Sequence, residues 1–408
     1  MNALVTVPLG DVASFIRGIT FKPDDVVPVG SKGSVACMRT KNVQSELELS
    51  DVWGISDTFV KREDQYLAAG DLLVSSANSW NLVGKCCWVP VLPWRATFGG
   101  FISVLRGDSR KVAPRYLYHW FSSPRIQATA RSFGQQTTNI SNLNIDRCLR
   151  LPIPLPPLPE QRRIAKILDK ADALRAKRRA ALAQLDTLIQ SIFLDLFGEK
   201  LDAPPVDTRS HRATIPKKCS WVLLTDVARL ATGHTPDRER SEYWNGEIPW
   251  ISLTDIRSLD GTEAKSTIEN VTPLGIENSS SVLLPKGTVC FSRTASVGFV
   301  TVMGREMATS QDFMNWVCGP LLDPTYLMWA LITSRQRLLA LAPGSTHRTI
   351  YMRVVEQFRI LLPPIMTQQE FAQRVVGIEE LRMSLQDSLT KLGSLFESLQ
   401  YRAFRGEL

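Results

Sequence analysis

The sequence predicts an α+β fold made by internal duplication: two β-rich lobes of α/β type, each followed by one long helix with coiled-coil patterning. Three observations predict it. A leucine-rich stretch occurs twice in phase, the segments ahead of it repeat too, and a polar, proline-bearing stretch separates the copies.

The helical stretch runs from Leu155 to Glu199, LPPLPEQRRIAKILDKADALRAKRRAALAQLDTLIQSIFLDLFGE. It returns from Leu362 to Glu407 as LPPIMTQQEFAQRVVGIEELRMSLQDSLTKLGSLFESLQYRAFRGE. Setting Leu155 over Leu362 pairs Gln161 with Gln368, Leu174 with Leu381, Leu188 with Leu395 and Phe197 with Phe404, without a gap. One inserted residue would turn the apolar stripe by about 100°, so a gapless match is what helix packing enforces. The punctuation is helical as well. Pro159 suits a first turn, Thr367 and Glu370 have capping-box spacing, and Gly198 and Gly406 stand where left-handed caps want glycine.

With Ile164 as heptad position a, that row reads Ile164, Ala171, Arg178, Leu185, Ile192, and in the second copy Phe371, Ile378, Leu385, Leu392, Leu399. These apolar a-row residues are the helix-pairing candidates. Row d adds Ile167, Leu174, Ala181 and Leu188, and row e adds Leu168, Leu182, Ile189 and Leu196. A two-stranded coiled coil needs only a and d. The wider a, d, e face leaves a surplus, available to the lobes or to another protein's helices.

The lobes repeat at matched places. Val7 to Ala13 corresponds to Val222 to Ala228, and Gly18-Ile19-Thr20 to Gly233-His234-Thr235. Strand-like VACMRTKNV (35–43) stands against IPWISLTDI (248–256), AGDLLVSS (69–76) against KGTVCFSR (286–293), Ala96-Thr97 against Ala308-Thr309, and GGFISVL (99–105) against QDFMNWV (311–317). A helical segment from Pro114 or Pro324 follows, then a polar loop from Gly134 or Gly344. The boundaries are a first lobe over 1–158, a helix over 159–199, a linker over 200–218, a second lobe over 219–363 and a helix over 364–408.

With 408 residues the chain has room for two to three domains. No signal-peptide pattern opens it and no apolar run is long enough to cross a bilayer, so a cytoplasmic protein without a membrane partner is expected. Seven cysteines without a CxxC pair and four histidines without HxxxH fit reduced structural thiols and argue against zinc; no metal site is expected. A formal charge of +8 and a pI near 9.2 permit a polyanion partner. The excess concentrates in Arg162, Arg163, Lys166, Lys170, Arg175, Lys177, Arg178 and Arg179. Such a run is a solvated face, a phosphate contact or a dock for an acidic partner.

Catalytic signatures are scarce. The sequence holds no GxxxxGK[ST] phosphate loop, no GxSxG elbow and no GxGxxG opening a helix. Asp237 with Glu263 and Lys265 could formally hold a divalent ion for a self-contained DNA nuclease, although the first lobe has no counterpart. A scaffold whose loops touch only protein is a further alternative. More informative are polar loops at matched places. Arg39, Lys41, Asn42, Ser76, Asn78, Gln135, Gln136 and Thr138 in the first lobe, and Thr254, Ser292, Arg293, Thr346, His347 and Arg348 in the second, supply groups that read base edges and grip phosphates. Individually each is also an ordinary turn residue. Two copies of one frame with different tips, GQQTTN against GSTHRT, suit a reader of two different short sequences.

The chain resembles the specificity subunit of type I restriction-modification systems. The resemblance spans essentially the whole chain and rests on LPPLPEQRRIAKILD at Leu155 to Asp169, its echo LPPIMTQQEFAQRV at Leu362 to Val375, and the tails Phe197-Gly198-Glu199 and Phe404-Arg405-Gly406-Glu407. The second helix departs from the pattern, with Met366 and Thr367 replacing the Pro-Glu of Pro159 and Glu160. The resemblance implies a non-catalytic DNA reader. Its two target-recognition lobes would be joined by an antiparallel pair of long helices, a coiled coil with pseudo-two-fold symmetry, and each lobe would read half of a bipartite asymmetric site in double-stranded DNA. It also implies two methyltransferase subunits docked on helices and lobes, in a complex with or without ATP-dependent restriction subunits. S-adenosylmethionine, ATP and Mg would then sit on those partners and no cofactor on this chain. A helix of roughly 38 residues would be about 57 Å long, more than the ~34 Å of one DNA turn.

Overall fold

The computed structural model describes residues 5–136, 140–198, 219–340 and 349–408. The chain divides into two compact units, Met1–Arg179 with Gln386–Leu408, and Ala180–Leu385. The division cuts both long helices internally, so each unit holds one lobe and one end of each helix.

In the first lobe, β1 (Ala13–Arg17), β2 (Ser34–Met38), β3 (Leu72–Ser75), β4 (Cys86–Trp88), β5 (Ala96–Phe98) and β6 (Ile102–Gly107) precede α1 (Pro114–Phe121). The central antiparallel sheet has the order β1-β6-β3-β4, and β2 runs parallel to β5 in a second sheet, with Met38 opposite Phe98. Leu72, Leu73 and Val74 are all buried because helices cover one face and the second sheet the other. The first long helix, α2, is Leu158–Phe197.

In the second lobe, β7 (Ala228–Thr232), β8 (Trp244–Ile251), β9 (Val289–Ser292), β10 (Val300–Met303), β11 (Ala308–Thr309) and β12 (Phe313–Cys318) precede α3 (Pro324–Thr333), and α4 is Ile365–Ala403. The first four strands of the sheet, β7-β12-β9-β10, repeat the order of the first lobe, a fifth strand, Glu263–Ala264, adds at the β10 edge, and β8 runs parallel to β11 with Ile251 opposite Thr309. Both lobes therefore use one frame. Gly18 and Gly233 explain their own repetition: a Cβ on Gly18 would lie 2.2 Å from the Gly99 carbonyl oxygen, and one on Gly233 2.1 Å from Thr309 Oγ1.

The shared frame corrects one alignment. Arg17 faces Ser103 and Thr232 faces Met314, so Ile102 matches Phe313 and Phe101 matches Asp312. Pairing Ala96-Thr97 with Ala308-Thr309, and GGFISVL with QDFMNWV, is one residue out.

Each helix start is pinned to its lobe in the same way. The buried Gln161 accepts from Ala113 N–H (2.8 Å) and donates to the Lys111 and Pro156 carbonyls (3.1 and 2.8 Å). Gln368 repeats the set with Asp323 N–H (2.9 Å) and the Leu321 and Pro363 carbonyls (3.1 and 2.8 Å). Tyr116 and Tyr326 donate to the Pro154 and Leu361 carbonyls. Entry and exit of each lobe also pair, Thr6–Pro8 with Pro152–Pro154 and Ser220–Leu223 with Arg359–Leu362.

Within each unit the helix ends run antiparallel. In the first, Ile164, Leu168 and Ala171 share a core with Phe396 and Ala403, and the Arg175 guanidinium lies 4.5 Å from the Phe396 ring centroid. In the second, Phe193 and Phe197 meet Phe371 at 5.4 and 5.9 Å between centroids, and Asp186 pairs with Arg382 at 3.0 Å. The buried seam is not a with d. Row a supplies Ile164, Ala171, Leu185 and Phe371 buried, with Ile192, Ile378, Leu385, Leu392 and Leu399 half-buried, while Arg178 is exposed. Row e supplies Leu168, Ile189, Val375, Phe396 and Ala403. Row d faces out, with Leu174, Leu188, Leu381 and Leu395 exposed by 51, 41, 49 and 51%. Steps of four from a to e and three back to a form a complete heptad seam, displaced from the one drawn on a and d.

Three smaller expectations change. Thr367 lies inside α4, its N–H bonded to the Pro364 carbonyl, so it is not the N-cap. Gly406 has φ +75°, but Gly198 prolongs the last turn and has no left-handed conformation. Helix α2 is long and apolar enough over part of its length to span a membrane, contrary to expectation. Its Ile189, Phe193 and Phe197 lie instead in a lobe core. The expected linker, 200–218, lies wholly outside the described residues.

Candidate nucleic-acid interface

At one end of the first lobe's sheet, the Phe101 carbonyl accepts from Ser76 N–H and Ala77 N–H at 3.0 and 3.1 Å. A three-stranded ribbon places Gln136 beside Ser141 and Ser141 beside Asn78, so the polar loops from three parts of the chain meet. Next to them a cavity of about 540 Å³ is lined by Phe21, Arg39, Lys41, Trp53, Gly100 and Phe101, among others.

Arg39, at the end of β2, is held on two sides. Its guanidinium lies 3.6 Å from the Trp53 ring centroid and pairs with Asp51 at 2.9 Å. The hydrogen bond from Lys41 (2.6 Å), with Arg39 beside it, holds the Asp51 carboxyl below the usual range. Both cations are thus preset in direction, and Lys41 is exposed. Asn42 is fully buried: it accepts from Arg39 N–H at 2.8 Å and donates to the Glu48 and Asp51 carbonyls at 2.7 and 3.0 Å. It builds the turn and has no group left for a base. Ser76 and Asn78 are half-buried, Asn78 donating to Ser75 Oγ at 3.0 Å.

The second lobe repeats the turn with other side chains. Asp255, the match of Asn42, accepts from Ser252 N–H at 3.0 Å and from Ile268 N–H at 2.8 Å, which leaves Thr254 exposed on the turn. Ser292 is buried; it donates to the Ser296 carbonyl and accepts from Phe299 N–H at 3.0 Å, so its hydroxyl is engaged by backbone. Arg293 lies at the sheet end with its guanidinium on the Gln311 carbonyl at 3.1 and 3.2 Å. Its own carbonyl accepts from Ile350 N–H at 2.9 Å, and Thr294 bridges Thr349. Arg293 thus adjoins Thr349 and Ile350, which follow Thr346, His347 and Arg348 in the sequence. Those three and Thr138 lie outside the described residues, as do the side chains of Gln135 and Gln136.

Sequence reasoning missed Phe101, exposed by 62% at the cavity rim. The glycine pair ahead of Phe101 was the available signal. It also missed Arg238, which lies 4.0 and 5.0 Å from the Trp244 and Trp250 ring centroids and forms an ion pair with Glu269.

The nuclease alternative gains no support. Asp237 accepts from Glu239 N–H at 2.9 Å as a turn cap, and Glu263 stands on a short edge strand. Among the described residues no three of His, Cys, Asp or Glu gather as a metal site.

Comparison with known proteins agrees with the geometry. The profile of the type I restriction modification DNA specificity domain matches residues 2–184 and again 216–383. The specificity subunit of the type I restriction enzyme StySPI from Salmonella potsdam is 26% identical, over 99% of this chain and 89% of its own length. That of EcoKI from Escherichia coli is 23% identical over the same shares. Among solved structures, a chain from a type I R-M system studied for complex assembly and conformational transition has a TM-score of 0.60 at 16% identity, covering 100% of this chain and 99% of that one. The type I S subunit from M. genitalium has a TM-score of 0.57 at 12% identity, covering 99 and 96%. Two lobes on one frame, each matched by the same profile, establish that the chain belongs to the family of type I restriction-modification DNA specificity subunits.

Proposed function

We propose that each lobe reads one half of a split, asymmetric DNA site through its sheet-end loops, and that the chain itself carries out no catalysis. The observation that carries this reading is the pairing of a shared four-strand order with different outward side chains. Asn42 and Asp255 do the same buried work, while Lys41 and Thr254 beside them differ in charge. In the first lobe Arg39, Lys41, Ser76, Asn78 and Phe101 are the reading set, with Gln135, Gln136 and Thr138 contributed by the adjoining loop. In the second it is Thr254 and Arg293, with Thr346, His347 and Arg348. Cations supply phosphate contacts, amides and hydroxyls supply base contacts, and Phe101 supplies an apolar surface for a thymine methyl.

Methyltransferase subunits dock on the outward leucine rows, Leu174 and Leu188 on α2 and Leu381 and Leu395 on α4. Exposed leucines at helical spacing on both copies suit partner helices. S-adenosylmethionine belongs to those subunits, and ATP and Mg to restriction subunits where these join.

The test is binding-site selection with the methyltransferase complex, read by sequencing. One split site is expected, and Arg293→Ala should relax one half only. Equal relaxation of both halves would refute independent lobes.

A further inference from the structure

The cavity beside the first lobe's reading loops has a chemistry that the second lobe does not repeat. Its volume of about 540 Å³ is in the range of pockets that bury a whole small ligand. Phe21 meets Trp53 edge to face at 6.2 Å between centroids, the Arg39 guanidinium lies on the Trp53 ring, and Phe101 stands exposed at the rim. Asp51 holds Arg39 Nη2 with its carboxylate at 2.9 Å and its carbonyl at 3.1 Å. The Arg39 Nε–H is buried and, among the described residues, has no hydrogen-bond partner. A buried donor without an acceptor costs free energy that an entering carbonyl oxygen would return.

Each of these positions has a counterpart in the second lobe, and none keeps its side chain. Phe21 is matched by Pro236, Arg39 by Ser252, Trp53 by Glu269, Gly100 by Gln311 and Phe101 by Asp312. Gln311 accepts from the Thr235 hydroxyl at 2.5 Å, and Glu269 is taken by Arg238. At the matching place in the first lobe, Gly100 brings no side chain. A Cβ there would lie 3.4 Å from the Ile19 carbonyl oxygen and 3.6 Å from Thr20 Oγ1, which is ordinary contact.

Base edges inside a stacked duplex are read by groups that protrude into a groove. A recess walled by aromatic rings offers little to such an edge and suits the face of a base that has left the stack. We infer that the first lobe holds one base of its half-site outside the duplex in this cavity, stacked on Phe101 and with a carbonyl oxygen accepting from the Arg39 Nε–H. The need for a carbonyl selects thymine, cytosine or guanine over adenine. Trp53 and Asp51 fix the guanidinium in advance, so no ordering of Arg39 is left for the moment of binding. The inference rests on the reading role proposed for this lobe; the second lobe, with Glu269, Gln311 and Asp312 at the matched places, reads without extracting a base.

The experiment measures binding of the full-length chain, with its methyltransferase partner, to duplexes carrying the selected split site. In each duplex one pair of the first lobe's half-site is mismatched by changing a single strand; that half-site is the one Arg293→Ala leaves unrelaxed. Groove reading makes a mismatch neutral or costly, whereas a base that must leave the stack leaves more cheaply from a mismatch. At one position, where thymine, cytosine or guanine is the base retained, binding should tighten by about tenfold. The gain should fall below about twofold in Gly100→Gln, which carries the second lobe's side chain, and in Phe101→Ala. A gain kept by either variant, a gain found only where adenine is retained, or no gain at any position overturns the inference, while selective binding of the split site keeps the reading role standing. Absence of selective binding by the wild-type complex overturns both.

Discussion

Replacing Gln161 with alanine removes three hydrogen bonds at 2.8, 3.1 and 2.8 Å from a side chain only 1% exposed. At roughly 1 to 1.5 kcal/mol each, with the buried Ala113 N–H left unsatisfied, the cost is about 3 to 5 kcal/mol. Because the chain has two compact units, one global unfolding energy is a poor readout. Amide hydrogen exchange resolves the effect locally: protection at Ala113 and through the first turn of α2 should fall by about a hundredfold or more. Gln368→Ala should do the same at Asp323 and leave the first lobe alone. Gln161→Glu sharpens the argument. It keeps an acceptor for Ala113 but aims a second carboxylate oxygen at two carbonyls, so it should match alanine at neutral pH and recover partly when protonated. Less than a tenfold loss for alanine, or full protection with glutamate at pH 7, would refute the pinning role.

Other predictions concern packing, charge and spacing. Phe193→Ala empties a fully buried site between Phe197, Tyr326 and Phe371 and should cost about 3 to 5 kcal/mol, read as a lower melting transition of the second unit. Burial alone would raise the Asp169 carboxyl, but hydrogen bonds from His119 and Arg115 more than reverse this and hold it below its ordinary value. Its stabilisation is therefore full above the ordinary carboxylate pKa and disappears as pH falls through the lower folded value. Asp169→Asn should lower the urea midpoint at pH 7 and narrow the gap from wild type at pH 3; an unchanged gap would count against the pairing. Lys41→Ala should reduce the slope of log affinity against log salt by about one, without changing the bases preferred. Four residues inserted between Ala181 and Leu182, about one turn, should lengthen the tolerated spacer and leave both half-sites as they were.

Much of the fold was legible because duplication supplies an internal control. The gapless phase of the helices, the Gly18 and Gly233 approaches and the turns at Asn42 and Asp255 repeat because each satisfies a steric or hydrogen-bonding demand. The slip of one residue in GGFISVL against QDFMNWV was not legible. Both faces of β6 and β12 are buried, so hydrophobic alternation fixes no register there. The helix seam was ambiguous for a related reason: rows a, d and e are all leucine-rich, and only packing shows which two turn inward. At the interface, residue type alone could not separate Asn42 and Ser292, whose polar groups are consumed by backbone, from Lys41 and Thr254 beside them. Phe101 carries no polar group by which residue type would mark it as a contact.

The strands by which the chain enters and leaves a lobe lie side by side, Thr6–Pro8 against Pro152–Pro154 and Ser220–Leu223 against Arg359–Leu362. A lobe is therefore a loop closed at its own neck. Recombination that cuts at such a neck can trade one reading head for another while the rod keeps its phase, so new specificity can arise by exchange of a whole cassette in one step.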